Sequence, residues 1–286
     1  MENISKRNFI KTLTLGTAST LLNPLLPSGY ANEPQKKLKN IGLIFNTISD
    51  ELKKDVPKTL EKVAHIGYKE VEFGNINGYK PIEIKKMLDD LGLKAVAGGG
   101  VMKQFLDDDF YKMAENANVL GKKYLICYWE WLDGGENKSL DDFKKVAEQF
   151  NALGEKCKKE GLQFAFHNHD KEFKITEGRI PYEIILENID YKLVTMELDL
   201  YWATKGGANP ITFIEKYPSY FSLFHVKDMD KTENKSFACV GQGIIDFQAI
   251  FAKTRHVKHF IVEHDKPANP IACIQESYDF LRKIRF

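Results

Sequence analysis

Four segments in the second half of the chain each carry two chemically active side chains at positions i and i+2. They are His167 and His169 in FAFHNHD, Glu197 and Asp199 in TMELDLYW, His225 and Lys227 in FHVKDMD, and Glu263 and Asp265 in IVEHD. In an extended strand alternate side chains share a face, so each pair aims two functional groups the same way. Imidazoles and carboxylates together form the ligand set of a divalent metal and supply acid–base chemistry near neutral pH. A convergent site would use His167 or His169, His225, Glu263, and Asp199 in preference to Glu197, because Asp199 lies nearer the strand end. Manganese, zinc, iron or cobalt suits such a mixed nitrogen and oxygen set, whereas nitrogen ligands weigh against magnesium and calcium. A metal that holds a carbonyl and its neighbouring hydroxyl acidifies the C–H between them, and a carboxylate can then remove the proton to leave an enediolate. Returning the proton elsewhere isomerises or epimerises a sugar, and expelling a β substituent makes the same site a lyase.

Those pairs need elements that bring them together. From Ile41 onward eight short apolar runs alternate with amphipathic segments: residues 41–48, 70–75, 94–100, 124–129, 163–170, 192–202, 221–228 and 259–265. One run per roughly thirty residues is the spacing of βα units. Helical punctuation lies between them. Gly67 follows VPKTLEKVAHI as a stop, Ser139 caps a segment with acidic residues in its first turn, and Pro270 opens the last. Eight units predict an α/β fold of the closed (β/α)8 TIM barrel class, one domain over 32–286, with its site at the C-terminal ends of the strands. An open doubly wound sheet is the alternative. Ala97-Gly98-Gly99-Gly100 does not fit its phosphate-binding pattern and reads as a tight βα turn. Glu72, after the second run, and Trp129-Glu130-Trp131, after the fourth, fall at the same end.

The leader is read apart from the barrel. Lys6-Arg7 precedes an apolar stretch ending in Gly29-Tyr30-Ala31, an arrangement that resembles a twin-arginine export signal with lysine in place of the first arginine. Residues 1–31 are therefore expected to be removed on export to the periplasm; as a helix of the fold, they would leave the protein cytoplasmic. The 286 residues carry a formal charge of +1, from 41 basic and 40 acidic side chains, which gives no general drive toward nucleic acid. No later apolar stretch is long enough to span a membrane. Cys127, Cys157, Cys239 and Cys273 lack metal-ligand spacing and are expected to be free buried thiols, although export permits a disulfide.

From about residue 38 the phrases IGLIFNTISDEL, IGYKEVEFGN, FHNHDKEF, MELDLYW, FHVKDMD, GQGIIDF and IVEHD resemble the xylose-isomerase-like TIM barrels, specifically the sugar phosphate isomerase/epimerase group. Related ketose epimerases hold their metal through a glutamate, an aspartate, a histidine and a second glutamate, and the two glutamates move protons. Matched motif to motif, Asp199, His225 and Glu263 fall on the last three positions and His167 on the first. The resemblance thus implies a metal-dependent sugar isomerase or epimerase whose base is Glu263, with His167, His169 or Lys227 as acid partner. Replacement of the first glutamate by His167 removes the symmetry of a two-base epimerase, which suits an aldose–ketose isomerase or a lyase or hydratase on 3-keto-glycosides. Glu72, His169, Glu197, Trp129 and Trp202 are the expected substrate contacts, the indoles offering flat faces to a sugar.

Plainer roles stand beside these. His65, His256, His259 and His264 read as hydrogen-bonded structure, Glu197 as a partner of Lys227 or of another barrel residue, Asp107-Asp108-Asp109 as the acidic start of a helix, and the tryptophans as core. Phosphodiester hydrolysis would want a basic face that this charge balance does not supply. A non-catalytic exported carbohydrate-binding barrel is the remaining alternative, and assembly into an oligomer is compatible with the sequence.

Overall fold

The computed structural model describes residues 36–286 except Asn77, Gly134, Glu136 and Asn137, and the expected export signal lies outside that range. Eight parallel strands close a barrel in the order β1-β10-β7-β6-β5-β4-β3-β2. They are β1 (Gly42–Ile44), β2 (Glu70–Glu72), β3 (Lys94–Val101), β4 (Tyr124–Trp129), β5 (Gln163–His167), β6 (Val194–Asp199), β7 (Phe221–Val226) and β10 (His259–Val262). Two short strands, β8 (Asp228–Met229) and β9 (Phe237–Ala238), form an antiparallel flap just after β7. The closed TIM barrel expected from the eightfold alternation is therefore the fold.

Helices cover the outside, and their starts follow local chemistry. The Asp55 side chain accepts from Lys58 N at the start of Val56–Ile66, Ser139 accepts from Asp142 N, and Asn269 from Ala272 N ahead of Pro270–Leu281. Proline occupies the first turn of five helices, where its missing N–H costs nothing. The acidic run at Asp107–Asp109 does open a helix, Asp109–Leu120. The main apolar core lies between strands and helices, and a smaller one fills the barrel from Ile44, Val96, Ala97, Tyr124, Ile126, Ala165, Leu223 and Ile261. Ala165, Leu223 and Ile261 precede His167, His225 and Glu263 by two residues, so the strand alternation that packs the barrel floor also lines its mouth with polar groups.

Three expectations are corrected. The first apolar run is strand only through Ile44, after which Phe45–Ile48 turns as a 3-10 helix. The glycine triplet is not a turn: β3 runs straight through it. A Cβ on Gly98 would lie 1.8 Å from the Phe73 carbonyl oxygen, and one on Gly99 would lie 1.9 Å from that of Ile126, so the glycines admit the neighbouring backbones. Cys239 and Cys273 form a disulfide with Cα atoms 5.4 Å apart, because the chain beyond β9 passes the start of the last helix; only Cys127 and Cys157 are free, and both are buried. Among the described residues no helix is long and apolar enough to cross a membrane.

Candidate functional site

Strand register brings the expected residues to one place. His167 pairs in register with Glu197 across β5 and β6, and Asp199 with His225 across β6 and β7. One ligand atom from each of His167, Asp199, His225 and Glu263 lies within 4.8 Å of the others, and all four side chains are buried. Glu72, Glu197 and His225 form a second such group. His225 joins the two. Its Nδ1 stands 2.8 Å from Glu263 Oε2 and 4.0 Å from Asp199 Oδ2, while Nε2 stands 3.1 Å from Glu72 Oε1 and 3.2 Å from Glu197 Oε2.

Neighbours orient these groups. The Tyr128 hydroxyl donates to Glu72 Oε1 at 2.7 Å. Asn168 clamps β5 to β6: its carbonyl accepts from Asp199 N at 3.0 Å and its amide donates to Asp199 O at 3.3 Å. Asp199 Oδ1 accepts from Trp202 N, capping the helix Leu200–Lys205 and leaving Oδ2 without a partner. Lys227 donates to Asp265 Oδ1 at 2.8 Å and lies 3.4 Å from Glu263 Oε2. Glu197 does not pair with Lys227 as one reading of the sequence had it; it lies 3.3 Å from His167 Nδ1 and beside His225, without a well-aligned hydrogen bond to either.

Burial and charge set the protonation of the site. Burial opposes ionisation of Glu263, yet Lys227 and His225 outweigh it and hold this carboxyl well below its ordinary range. Burial opposes charging of His225 too, but Glu197, Glu263 and Glu72 together raise it well above an ordinary histidine. Glu197 is pushed well up by burial and by the charge of Glu72. Burial pushes Asp199 up to about 8 against the pull of Lys227. His167 and His169 are pushed down by burial, His169 to about 4, so both imidazoles are neutral. Neutral imidazole is the form that binds metal, so His167 and His169 are ready ligands, whereas His225 would release a proton on binding a cation.

The donor set fits a divalent cation. Buried polar atoms are normally satisfied, yet Asp199 Oδ2, His167 Nδ1 and both Glu197 carboxylate oxygens lack hydrogen-bond partners. A cation among His167, Asp199, His225 and Glu263 would give the orphaned Asp199 Oδ2 a partner. Over them opens a cavity of about 1020 Å³, whose inner wall includes Tyr128, His167, His169, Trp202, Lys227 and Glu263. Glu72 and Glu197, expected as substrate contacts, are fully buried and do not line it. Trp129 and Trp202 flank His169, with ring centroids 5.0 and 5.5 Å away. Trp131 packs on Phe143 at 5.1 Å, the core role. His259 Nδ1 pairs with Glu70 at 2.8 Å and His264 Nδ1 accepts from Lys266 N at 3.2 Å, the hydrogen-bonded arrangement expected of both.

Sequence reasoning missed three supports. Glu172 accepts from His169 N at 2.5 Å, and the equally buried Glu130 lies against Glu172. Asp228 accepts from the backbone N–H groups of Gly241, Gly243 and Ile245, fixing the GQGI loop. An acidic residue three positions after a histidine was the only signal for Glu172.

A parallel eightfold barrel with imidazoles and carboxylates converging at its C-terminal mouth defines a class of TIM-barrel proteins suited to metal-assisted chemistry on small molecules. Within that class, the chain belongs to the xylose isomerase-like TIM barrel family, whose sequence profile matches residues 60–284. It is similar to two solved structures of sugar phosphate isomerase/epimerases from Parabacteroides distasonis, each at 28% identity. One covers 89% of this chain and 96% of its own at a TM-score of 0.72, the other 85% and 98% at 0.73. The fold is shared with the probable 3-DHS dehydratase AsbF of Bacillus anthracis, at 14% identity, TM-score 0.66, and 85% and 98% of the two chains. It is shared also with IOLI, a protein described with a bound zinc atom, at 16% identity, TM-score 0.66, and 84% and 95%. Comparison with curated protein sequences gave no match.

Proposed function

We propose that the protein is a metal-dependent sugar isomerase or epimerase that removes a proton from a carbon next to a carbonyl. The observation that carries this reading is the approach of four ligand atoms, from His167, Asp199, His225 and Glu263, to within 4.8 Å at the mouth of the barrel. These four residues would hold the cation, which supplies an electrophile that polarises the carbonyl and stabilises the enediolate. Glu263 is the base: Lys227 and His225 keep it ionised in a buried setting, and it lines the cavity where a substrate carbon would sit. Lys227 anchors it in turn and presents its ammonium to a substrate oxygen. His225 would be one of the residues that hold the cation, and its Nε2, 3.1 Å from Glu72 Oε1, makes a carboxylate–histidine pairing that fixes ring orientation. Neutral His169, between Trp129 and Trp202, is placed to exchange a proton with a substrate hydroxyl.

The single carboxylate base also supports elimination from a 3-keto-glycoside, and the fold's occurrence in a dehydratase is consistent with that second reading. We assign the protein to an oxidising compartment outside the cytoplasm, on the leader sequence and on the Cys239–Cys273 disulfide. Its partner is a small sugar or sugar derivative, not nucleic acid.

Incubation of the metal-loaded protein with keto- and aldo-sugars in deuterated water is expected to show exchange at the carbon next to the carbonyl. Release of an aglycone from an oxidised glycoside would select the lyase, and no exchange or release across the panel overturns both. Metal content measured for the wild type should fall at least about tenfold in Asp199→Ala and His225→Ala. Equal metal in all three would remove the site assignment.

A further inference from the structure

Tyr128 lines the cavity but belongs neither to the paired motifs nor to the ligand set. On β4 the side chains of Tyr124 and Ile126 help to fill the barrel, and Tyr128, two residues further on, packs against that cluster and reaches the cavity. Its ring also meets the His167 ring edge-on, with centroids 5.7 Å apart. Packing on two sides fixes the ring, and the position of the hydroxyl oxygen is fixed with it.

Glu72 sets what that oxygen can offer. The Tyr128 hydroxyl gives its one hydrogen to Glu72 Oε1 at 2.7 Å. Glu72 is fully buried and does not line the cavity; its Oε1 also stands 3.1 Å from His225 Nε2, and its Oε2 has no hydrogen-bond partner. Turning the hydroxyl towards a ligand would strip this sparsely served carboxylate of a donor, so the hydrogen stays on Glu72. Tyr128 therefore meets the cavity with lone pairs alone. It complements a hydroxyl of the ligand and opposes a carbonyl oxygen, an ether oxygen or a phosphate dianion, which bring only lone pairs of their own. Lys227, on the same cavity wall, is the opposite case: its ammonium has donors and no acceptor, which suits a carbonyl oxygen.

We propose that Tyr128 is a specificity-determining residue that requires a free hydroxyl on the substrate. By refusing an acceptor it also sets which way round the sugar lies, with that hydroxyl towards Tyr128 and the carbonyl towards Lys227. This deepens the sugar chemistry proposed above and rests on it. Glu72, expected from the sequence as a substrate contact, acts on the substrate through Tyr128. A sugar oxidised at that hydroxyl, although of nearly the same size, is refused.

Fluorine in place of a hydroxyl tests the direction of the hydrogen bond, because it is of similar size and cannot donate. D-fructose, D-tagatose, D-psicose and D-glucose, each with its monodeoxy and monodeoxyfluoro analogues, are titrated against the metal-loaded protein by tryptophan fluorescence, Trp202 lying in the cavity wall. At one hydroxyl position both hydrogen and fluorine should weaken binding at least about tenfold. In Tyr128→Phe, checked for fold by circular dichroism and for metal content, that penalty should shrink to about threefold or less while the penalties at other positions stay as in the wild type. Glu72→Gln, whose amide can donate to Tyr128 and release its hydrogen to the cavity, should lower the fluorine penalty at the same position, and it carries the test if Tyr128→Phe does not fold. Fluorine tolerated at every position, or variants that weaken all analogues equally as mere loss of support would, overturns the assignment. Deuterium exchange by the wild type without a position that depends on Tyr128 overturns this inference alone, whereas no binding and no exchange with any sugar overturns the sugar reading and this inference with it.

Discussion

Glu130 and Glu172 are buried side by side, and two carboxylates in that setting cannot both ionise. Burial and the charge of Glu172 push Glu130 well up, so Glu130 is the neutral member; Glu172, also raised by burial, is drawn back by its hydrogen bonds with Glu130 and the His169 backbone. Glu172 thereby holds the turn that carries His169. Glu130→Gln, a neutral isostere of a neutral acid, should change stability by less than about 1 kcal/mol in urea denaturation, whereas Glu172→Ala should cost about 3 kcal/mol by leaving His169 N–H and Glu130 buried without partners. The candidate ligand residues were legible at this scale because two residues along a strand share a face. The Glu130–Glu172 pair was not, since a carboxylate becomes a proton-sharing partner only through a neighbour 42 positions away that the letters do not place beside it.

At the scale of elements, β4 begins beside a buried lysine. Lys122 Nζ donates to the carbonyl oxygens of Phe73 and Gly74 and lies 4.0 Å from the centre of the Phe73 ring, tying the entry to β4 to the exit of β2. Burial pushes this group from 10.5 down to about 7, with the Glu72 charge acting the other way. Between those two values the unfolded chain holds the proton and the folded protein does not, so stability rises with pH across that window; below about 7 both states are protonated and the slope disappears. The wild type should therefore gain about 2 kcal/mol over Lys122→Met between pH 7 and 9, read as the pH dependence of the difference in unfolding free energy. A parallel pair of pH profiles would show that the lysine remains charged. Strand positions were legible from apolar runs, but the path of β3 through three glycines was not, because glycine in a strand signals close backbone approach as readily as a turn.

At the scale of the whole molecule, the Cys239–Cys273 bond spans 34 positions and encloses β10 and Glu263. Closing a loop of that size in the unfolded chain contributes about 3–4 kcal/mol. The double variant Cys239→Ser/Cys273→Ser should lose that much stability without loss of the barrel. Protein recovered from outside the cytoplasm should begin at Asn32 and be two hydrogens lighter than its reduced form. Lys6→Ala/Arg7→Ala should instead leave full-length chain inside the cell. Secreted wild type that retains Met1, or that carries four titratable thiols, would contradict the assignment.

Periodicity and strand alternation, local properties that survive in a linear string, were enough for the closed barrel and for the end at which the paired residues gather, while the choice of His167, Asp199, His225 and Glu263 among those pairs came from the family resemblance. Closure of the barrel was needed to show that His225 stands between two carboxylate groups, that Cys239 meets Cys273 and that Glu172 holds His169. Those facts depend on which side chains the closure of eight strands brings face to face, and on the burial that then resets their charges; neither is a function of spacing along the chain.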